Sequence, residues 1–432
     1  MMSTEPAATG LAALRLLRDE RFAEILPLFP PNLRPMVTAE AIEAAWSAEL
    51  RRHGPVTAAG TPFVEPVRGG MVQVKILVTF EHGEVALLVT VDPAGRLLGL
   101  QLAPADAARP IEPWRAPDYV DPARIEERDV MIGEAELAVR GALTVPRQAG
   151  SWPAVVLLAG SGALGRDETI GRNKPFKDIA WGLAARGVAV LRFDKVTHAH
   201  PELVRANRKF TATDEYVPHA LAAVRLLRAE PGVDTDRIFV AGHSLGGTIA
   251  PRVAAADPAV AGLIILAGGW EPLHRAALRQ VGYLASLNPE GAVAGRAAFE
   301  ALARQADAVD DPNLSESTPD SMLPFGTPAA YWLDLRGYDP AVAAAGLGKP
   351  ILVVQGGRDY QSTVADDLAG WRAGLAGRPD VTVHVHDRAN HLFFTGDGPS
   401  SPAEYEPAQH VDPAVIADIA EWVLARQSWP RR

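Results

Sequence analysis

From Ala154 to Leu266 short, almost wholly apolar runs alternate with stretches of helical character, and that alternation leaves the chain few ways to fold. The runs Ala154 to Ala159, Val188 to Phe193, Ile238 to Ala241 and Leu263 to Leu266 are the length of strands and apolar on both faces. Between them the pattern predicts helices over Phe176 to Arg186, around Tyr216 to Ala229 and from Leu245. Strands of this kind separated by helices predict an α/β fold with a parallel sheet covered on both sides. The alternation breaks from Trp270 to Gly348, resumes with strands at Ile351 to Gln355 and Val381 to Val385, and ends in a helix over Val415 to Arg426. The break at about 270–348 is expected to be a helical cap inserted into the sheet.

The chain is 432 residues long, more than one hydrophobic core usually organises, so a second domain is expected. It lies at the start. Leu14, Leu17, Ile25 and Leu26 recur at helical spacing, and Thr38 can cap a second helix that carries Ile42 and Trp46 and stops at Gly54. The period then changes to two. Val72, Val74, Ile76, Val78 and Phe80 begin an antiparallel meander continued by Val85 to Val91 and Leu97 to Leu102, with turns at His82-Gly83 and Asp92 to Gly95. Residues 1–105 are therefore expected to form a small, cone-like α+β domain. Pro104, Pro110, Pro113, Pro117 and Pro122 mark a linker over 106–125, and 126–432 form the larger domain.

A formal net charge of -10 disfavours nucleic acid and anionic membranes as partners, since both require clustered positive charge. Zero cysteines exclude disulfides, thiolate catalysis and cysteine metal sites. Met1 to Gly10 show no basic run followed by an apolar one, and no segment has ~18 uninterrupted apolar residues, so a cytoplasmic protein is expected.

Gly242-His243-Ser244-Leu245-Gly246 falls between a predicted strand and a predicted helix, the setting of a nucleophile elbow. Small flanking residues permit a sharp turn that lifts the serine hydroxyl above the sheet, and the helix behind aims its amides at a developing oxyanion. A hydroxyl needs a base to take its proton, and the base needs an acid to fix its tautomer. Asp359 lies just past the strand Ile351 to Gln355, and His391 follows the strand Val381 to Val385, which completes the order serine, acid, histidine. Alone, Asp359 could be a carboxylate capping the next helix and His391 a surface histidine; together with Ser244, and at strand ends, they read as a triad. Asp387 and Asp366 are the alternative acids. His243 is expected to shape the elbow, and His198, His200, His384 and His386 to be structural, with no metal bound. Oxyanion donors are expected from the amides of Leu245 and Ser161, with Gly162 second.

Gly160-Ser161-Gly162-Ala163-Leu164-Gly165 also satisfies a dinucleotide-binding pattern, with Asp194 at the end of the next strand. A dinucleotide site opens its helix inside the glycine run. Here Arg166 to Lys174 is polar, contains Gly171, and defers the helix to Pro175, so no cofactor is expected.

Gly160-Ser161-Gly162, Arg166-Asp167-Glu168-Thr169, Asn173-Lys174-Pro175-Phe176, Phe193-Asp194-Lys195, the elbow and Asn390-His391 resemble a bacterial esterase subgroup of the α/β-hydrolases. That subgroup is related to dienelactone hydrolases and acyl-CoA thioesterases, including those for bile-acid-CoA, and a nuclear-transport-factor-like domain precedes its catalytic one. The resemblance implies cofactor-free hydrolysis of short acyl esters; Val196 stands where relatives often carry arginine. Arg166, Asp167, Glu168 and Lys195 read either as a network bracing the oxyanion loop or as a solvated ion-pair surface. Trp270, Tyr283, Met322, Phe325, Tyr331 and Trp332 are candidates for an acyl pocket or for cap core.

The expected activity is serine carboxylesterase action on a small-molecule acyl ester, with a possible homo-oligomer formed through the first domain. An acyl-CoA thioesterase is the rival, with a basic pocket drawn from Arg172, Lys174, Lys177, Arg205, Arg208 and Lys209. From another class, the chain could be a non-catalytic binder on a hydrolase scaffold.

Overall fold

In the computed structural model, residues 6–31, 33–34, 37–66, 71–108, 114–287 and 292–426 are described. Met1 to Glu5, and Pro110 and Pro113 of the expected linker, lie outside the described residues. The chain divides into two units, Met1–Glu112 and Pro113–Arg432.

In the first unit helices Pro6–Arg18 and Ala39–His53 precede the sheet. The Thr38 hydroxyl accepts from the amide of Ala41 at the start of the second helix, and Gly54, at φ 78°, ends it. Strands β1 Val56–Ala59, β2 Phe63–Pro66, β3 Val72–Phe80, β4 Gly83–Val91 and β5 Leu97–Pro104 pair antiparallel in the order β1-β3-β4-β5, with β2 also on β3. Alternation in β3 and β4 decides which face is core: Val74, Ile76, Val78, Val85, Leu87 and Val89 are buried together with Leu14 and Trp46 of the helices.

The second unit is built on an eight-stranded sheet in the order β13-β12-β11-β10-β8-β9-β7-β6. Its strands are β6 Ile125–Ile132, β7 Val139–Pro146, β8 Trp152–Leu158, β9 Ala189–Phe193, β10 Val233–His243, β11 Val260–Leu266, β12 Ile351–Gly356 and β13 Val381–His386. Six of them, from β8 to β13, run parallel, but β6 and β7 join antiparallel at one edge, so the sheet is mixed where a parallel one was expected. The central strands are buried on both faces. In β10, Ile238 and Val240 face helices Ala212–Ala229 and Leu245–Ala256, while Phe239 and Ala241 face helices Pro175–Ala184 and Pro413–Ala425. Between β11 and β12 the chain forms the cap, with helices Leu273–Leu287, Ala292–Asp310, Ala329–Leu335 and Pro340–Gly346.

Within the expected linker, residues from Trp114 on are held against the second unit. The Trp114 indole donates to buried Asp178 at 2.8 Å and stands edge-on to Trp181 at 4.9 Å, with the Lys177 ammonium over its ring. Residue pairs of this kind fix a segment that composition alone reads as irregular.

A single buried cation ties the antiparallel edge to the parallel sheet. The Arg192 guanidinium in β9 donates to Glu127 of β6 and to Asp167 in the loop after β8, both at 2.9 Å, and to Thr144 of β7 at 3.1 Å. Burial alone would raise both carboxyl pKa values, but Arg192, joined by Thr144 and Trp181 at Glu127 and by Lys174 at Asp167, holds both below the ordinary carboxylate range. Because the folded values are depressed, this stabilisation is present above about pH 4, where the unfolded carboxyls ionise, and is lost as pH falls through the folded values. Arg192→Met is expected to cost about 3–5 kcal/mol in urea unfolding at pH 7, because it strands two carboxylates. The gap to wild type should narrow below about pH 4, and an unchanged urea midpoint at pH 7 would contradict the assignment.

Candidate active site

The turn after β10 is forced by close backbone approach. Ser244 has φ 53° and ψ -123°, in a region that residues with side chains seldom occupy, and its amide donates to the carbonyl of Leu266 at 2.9 Å. A Cβ on Gly242 would sit 2.1 Å from the carbonyl oxygen of Gly246, and one on Gly246 would sit 2.3 Å from that of Leu158. Only glycine fits at either position. Leu245 opens the helix directly behind Ser244, so its amide is among those with no intrahelical acceptor.

Asp359 and His391 meet although 32 residues apart: His391 Nδ1 lies 2.7 Å from Asp359 Oδ2, and both side chains are buried. The other Asp359 oxygen accepts from the amides of Gln361 and Ser362 at 2.7 and 3.0 Å, and Gln355 Nε2 donates to Oδ2 at 3.2 Å. A carboxylate so fully bonded cannot rotate away from the imidazole. The alternative acids are elsewhere: Asp366 accepts from the Thr363 hydroxyl at 2.8 Å, and Asp387 makes no bond to His391. The loops meet because a Cβ on Gly356 would lie 2.5 Å from the carbonyl oxygen of Asn390.

His243 joins the elbow to the histidine loop. Its Nε2 donates to the carbonyl of His391 at 2.9 Å, and its Nδ1 lies 3.0 Å from Glu168 Oε1. Burial opposes a charge on this ring, but Glu168 and the His391 carbonyl outweigh it and raise the His243 pKa overall. Both His243 nitrogens are thus occupied, and the ring ties the turn to the His391 loop.

The loop after β8, expected to carry an oxyanion donor, passes against Ser244: a Cβ on Gly160 would lie 3.2 Å from the Cβ of Ser244. The Gly160 amide donates to Glu168 Oε1 at 2.7 Å, and the Gly160 carbonyl accepts from Lys195 Nζ at 2.8 Å and from the Tyr216 hydroxyl at 2.9 Å. Of the four charged residues singled out in the sequence, Glu168 and Lys195 thus touch the loop's own backbone. Arg166 pairs with Asp129, and Asp167 with Lys174 and Arg192, one layer further out. The helix after this loop begins at Pro175, and Asp194 accepts from the Arg166 amide at 2.7 Å, which uses the carboxylate a ribose would need.

Residues 164–397 match the family model described as serine aminopeptidase, S33, more than half of the chain and a span that includes Ser244, Asp359 and His391. Esterase EstD of Thermotoga maritima is 39% identical over 345 residues, which cover 80% of this chain and 78% of that protein. The chain belongs to the α/β-hydrolase esterases. Among solved structures, Est1E from Butyrivibrio proteoclasticus is 16% identical, with 68% of this chain and 97% of that chain covered and a TM-score of 0.43. The Pyrobaculum calidifontis esterase is 19% identical, with 69% and 85% covered and a TM-score of 0.41.

In the esterase a cavity of about 310 Å³ opens on Ser244 and Leu245, under the cap. Of the six expected pocket residues, Trp270 and Trp332 line it; the cap adds Leu273, Ala276 and Val309, which periodicity could not separate from cap core. The other four correct the expectation. Tyr331 is buried and donates to Glu215, Tyr283 donates to the carbonyl of Ser400, and Met322 and Phe325 are 54% and 66% exposed. Large apolar side chains in a cap have several surfaces to cover, and residue type does not choose among them.

The basic residues of the rival reading do not gather at this cavity. Lys174 pairs with Asp167, Lys177 with Glu127, Arg205 with Glu202 and Arg208 with Asp320, and neither Arg172 nor Lys209 lines it. His198 and His200 face the carbonyls of Ala163 and Ala138, while His384 and His386 share Asp418. No cluster of three metal-ligating side chains exists among the described residues. No helix among them is long and apolar enough to cross a membrane.

Gly242→Ala tests the elbow directly. The clash at 2.1 Å is with backbone, so nothing can swing aside. The variant is expected to melt at least ~5 °C lower and to lose most ester turnover; a wild-type melting temperature with wild-type kcat would contradict this account of the turn.

Proposed function

We propose that the chain is a serine carboxylesterase in which Ser244 attacks the ester carbonyl, His391 takes and returns the proton, and Asp359 fixes the imidazole tautomer. The observation that carries the reading is the buried 2.7 Å contact between His391 Nδ1 and Asp359, tied to the elbow by the 2.9 Å bond from His243, the residue before Ser244, to the His391 carbonyl. Asp359 accepts the Nδ1 proton, which leaves Nε2 as the basic nitrogen. As the tetrahedral oxyanion forms, the amides of Leu245 and Ser161 donate to it; collapse expels the alcohol with the proton from His391, and water repeats the sequence to free the acid.

The cavity supports short acyl groups. Its volume of about 310 Å³ is at the small end of ligand sites, and Trp270 and Trp332 bound it. Across p-nitrophenyl esters kcat/KM should peak between acetyl and hexanoyl. None of the six basic residues expected to hold a CoA nucleotide lines this cavity, and Arg336, which does, donates to the carbonyl of Asp311.

Ser244→Ala and His391→Ala are each expected to lower kcat at least ~10³-fold with melting temperatures within a few degrees of wild type. Asp359→Asn should fall comparably and Asp387→Asn within twofold of wild type. Near-native turnover in folded Ser244→Ala or His391→Ala would overturn the reading.

The first unit supports a separate role. It has its own core, and every residue of the proposed mechanism lies in the second unit. We read it as a nuclear-transport-factor-like assembly module that pairs copies of the chain. Deleting residues 1–112 should change the oligomeric state measured by light scattering while kcat stays within about threefold. A folded, monodisperse truncation with unchanged subunit number, or with kcat lost by orders of magnitude, would refute it.

A further inference from the structure

Lys195 is buried at the end of β9 with three acceptors around its ammonium: the Gly160 carbonyl and the Tyr216 hydroxyl, both at 2.8 Å, and Glu215 Oε1 at 3.0 Å. The proton count is forced. Tyr216 has one hydrogen, and it is donated to the Gly160 carbonyl at 2.9 Å, so Lys195 must donate to the tyrosine oxygen as well as to Gly160 and Glu215. Three donors require the charged form. Burial lowers the Lys195 pKa overall, and the adjacent Glu215 carboxylate works in the other direction to keep the proton on.

The carbonyl these two side chains grip belongs to the same planar unit as the amide of Ser161, since the Gly160–Ser161 peptide joins them. In a trans peptide the carbonyl and the following N–H point in opposite directions, so fixing one aims the other. A cation on the carbonyl oxygen also draws electron density through the amide and makes the N–H a stronger donor. The Glu168 carboxylate fixes the preceding N–H, at Gly160, from the other side at 2.7 Å.

Resting on the assignment of Ser244 as nucleophile, we infer that Lys195 and Tyr216 are positioning residues that orient and polarise the Gly160–Ser161 peptide, so that the Ser161 amide is a reinforced oxyanion donor. The cap is connected to this clamp. Tyr331 in cap helix Ala329–Leu335 donates to Glu215 Oε2 at 2.7 Å, and Thr197 donates to Glu215 Oε1 at 2.8 Å, so the counter-ion of Lys195 is itself held in part by the cap. This also explains why Tyr331, one of the aromatic residues expected in the pocket, is turned away from it.

The test compares Lys195→Met and Tyr216→Phe with wild type, using p-nitrophenyl acetate turnover, a trifluoromethyl ketone that adds to the nucleophile as a tetrahedral anion, and the corresponding amide as a ground-state ligand. Lys195→Met is expected to lower kcat ~10–10²-fold, up to the loss of a whole oxyanion donor, with KM within about threefold. The ketone Ki should rise by the same factor and the amide Ki stay unchanged. Tyr216→Phe should show the same pattern at about fivefold to tenfold. A kcat within about twofold of wild type in folded Lys195→Met, or equal losses for ketone and amide, would overturn the inference. If Lys195→Met does not fold, the isosteric Tyr216→Phe decides alone: unchanged kcat and ketone Ki sink it. Turnover surviving Ser244→Ala would instead remove the nucleophile assignment, a separate outcome.

Discussion

The backbone squeeze around Ser244 is the constraint on which the catalytic unit depends. Strand β10 must end, reverse into a helix, and leave a side chain standing above the sheet within a few residues. That is possible because Gly242 and Gly246 give up their side chains to close contacts with neighbouring backbone. Ser244 is held at φ 53° by its surroundings, with its amide bonded to the end of β11 and the helix packed behind it. The same turn carries His243 to the histidine loop and sets Leu245 at the helix start. Ser244, the amide of Leu245 and the bond to the His391 loop are therefore fixed by one piece of backbone.

Around that turn the buried charges are satisfied in compact sets. Arg192 serves Glu127 and Asp167, His243 serves Glu168, and Lys195 serves Glu215. Such pairs contribute less to net stability than their Coulomb attraction implies, because each charge loses its water. What they supply is position. Asp167 and Glu168 are adjacent in sequence, so the cation that anchors the antiparallel edge also sets the loop whose carboxylate holds the Gly160 amide. The fold's edge and the oxyanion loop are thereby joined through one dipeptide.

Much of this was legible before any coordinates. Central strands buried on both faces have nothing polar to present, so β8, β10, β11 and β12 stand out as apolar runs; the elbow is legible because its glycines are required sterically. Asp359 and His391 could be placed because parallel strands deliver their loops to one end of the sheet. By contrast β6, Ile125–Ile132, reads Ile-Glu-Glu-Arg-Asp-Val-Met-Ile, an edge strand whose charged residues blunt its open side and erase the apolar signal. The anchoring of the segment from Trp114 was not legible, because its partner, Asp178, lies 64 residues away. Glu215 and Tyr216 look like ordinary helix residues, and only the meeting of β9, the oxyanion loop and helix Ala212–Ala229 makes them partners of Lys195. The pocket was the least legible part, since burial against Glu215 or exposure on the cap surface depends on how the cap folds back.

The central claim is that Ser244 is the residue acylated during turnover. The most direct measurement is to trap the wild-type protein with a fluorophosphonate, weigh it intact, and map the adduct by peptide mass spectrometry. The account predicts one adduct per chain, on the peptide that carries Gly242-His243-Ser244-Leu245-Gly246, appearing at the rate at which ester hydrolysis is lost. An adduct on another residue, or full loss of activity with Ser244 unmodified, would contradict it.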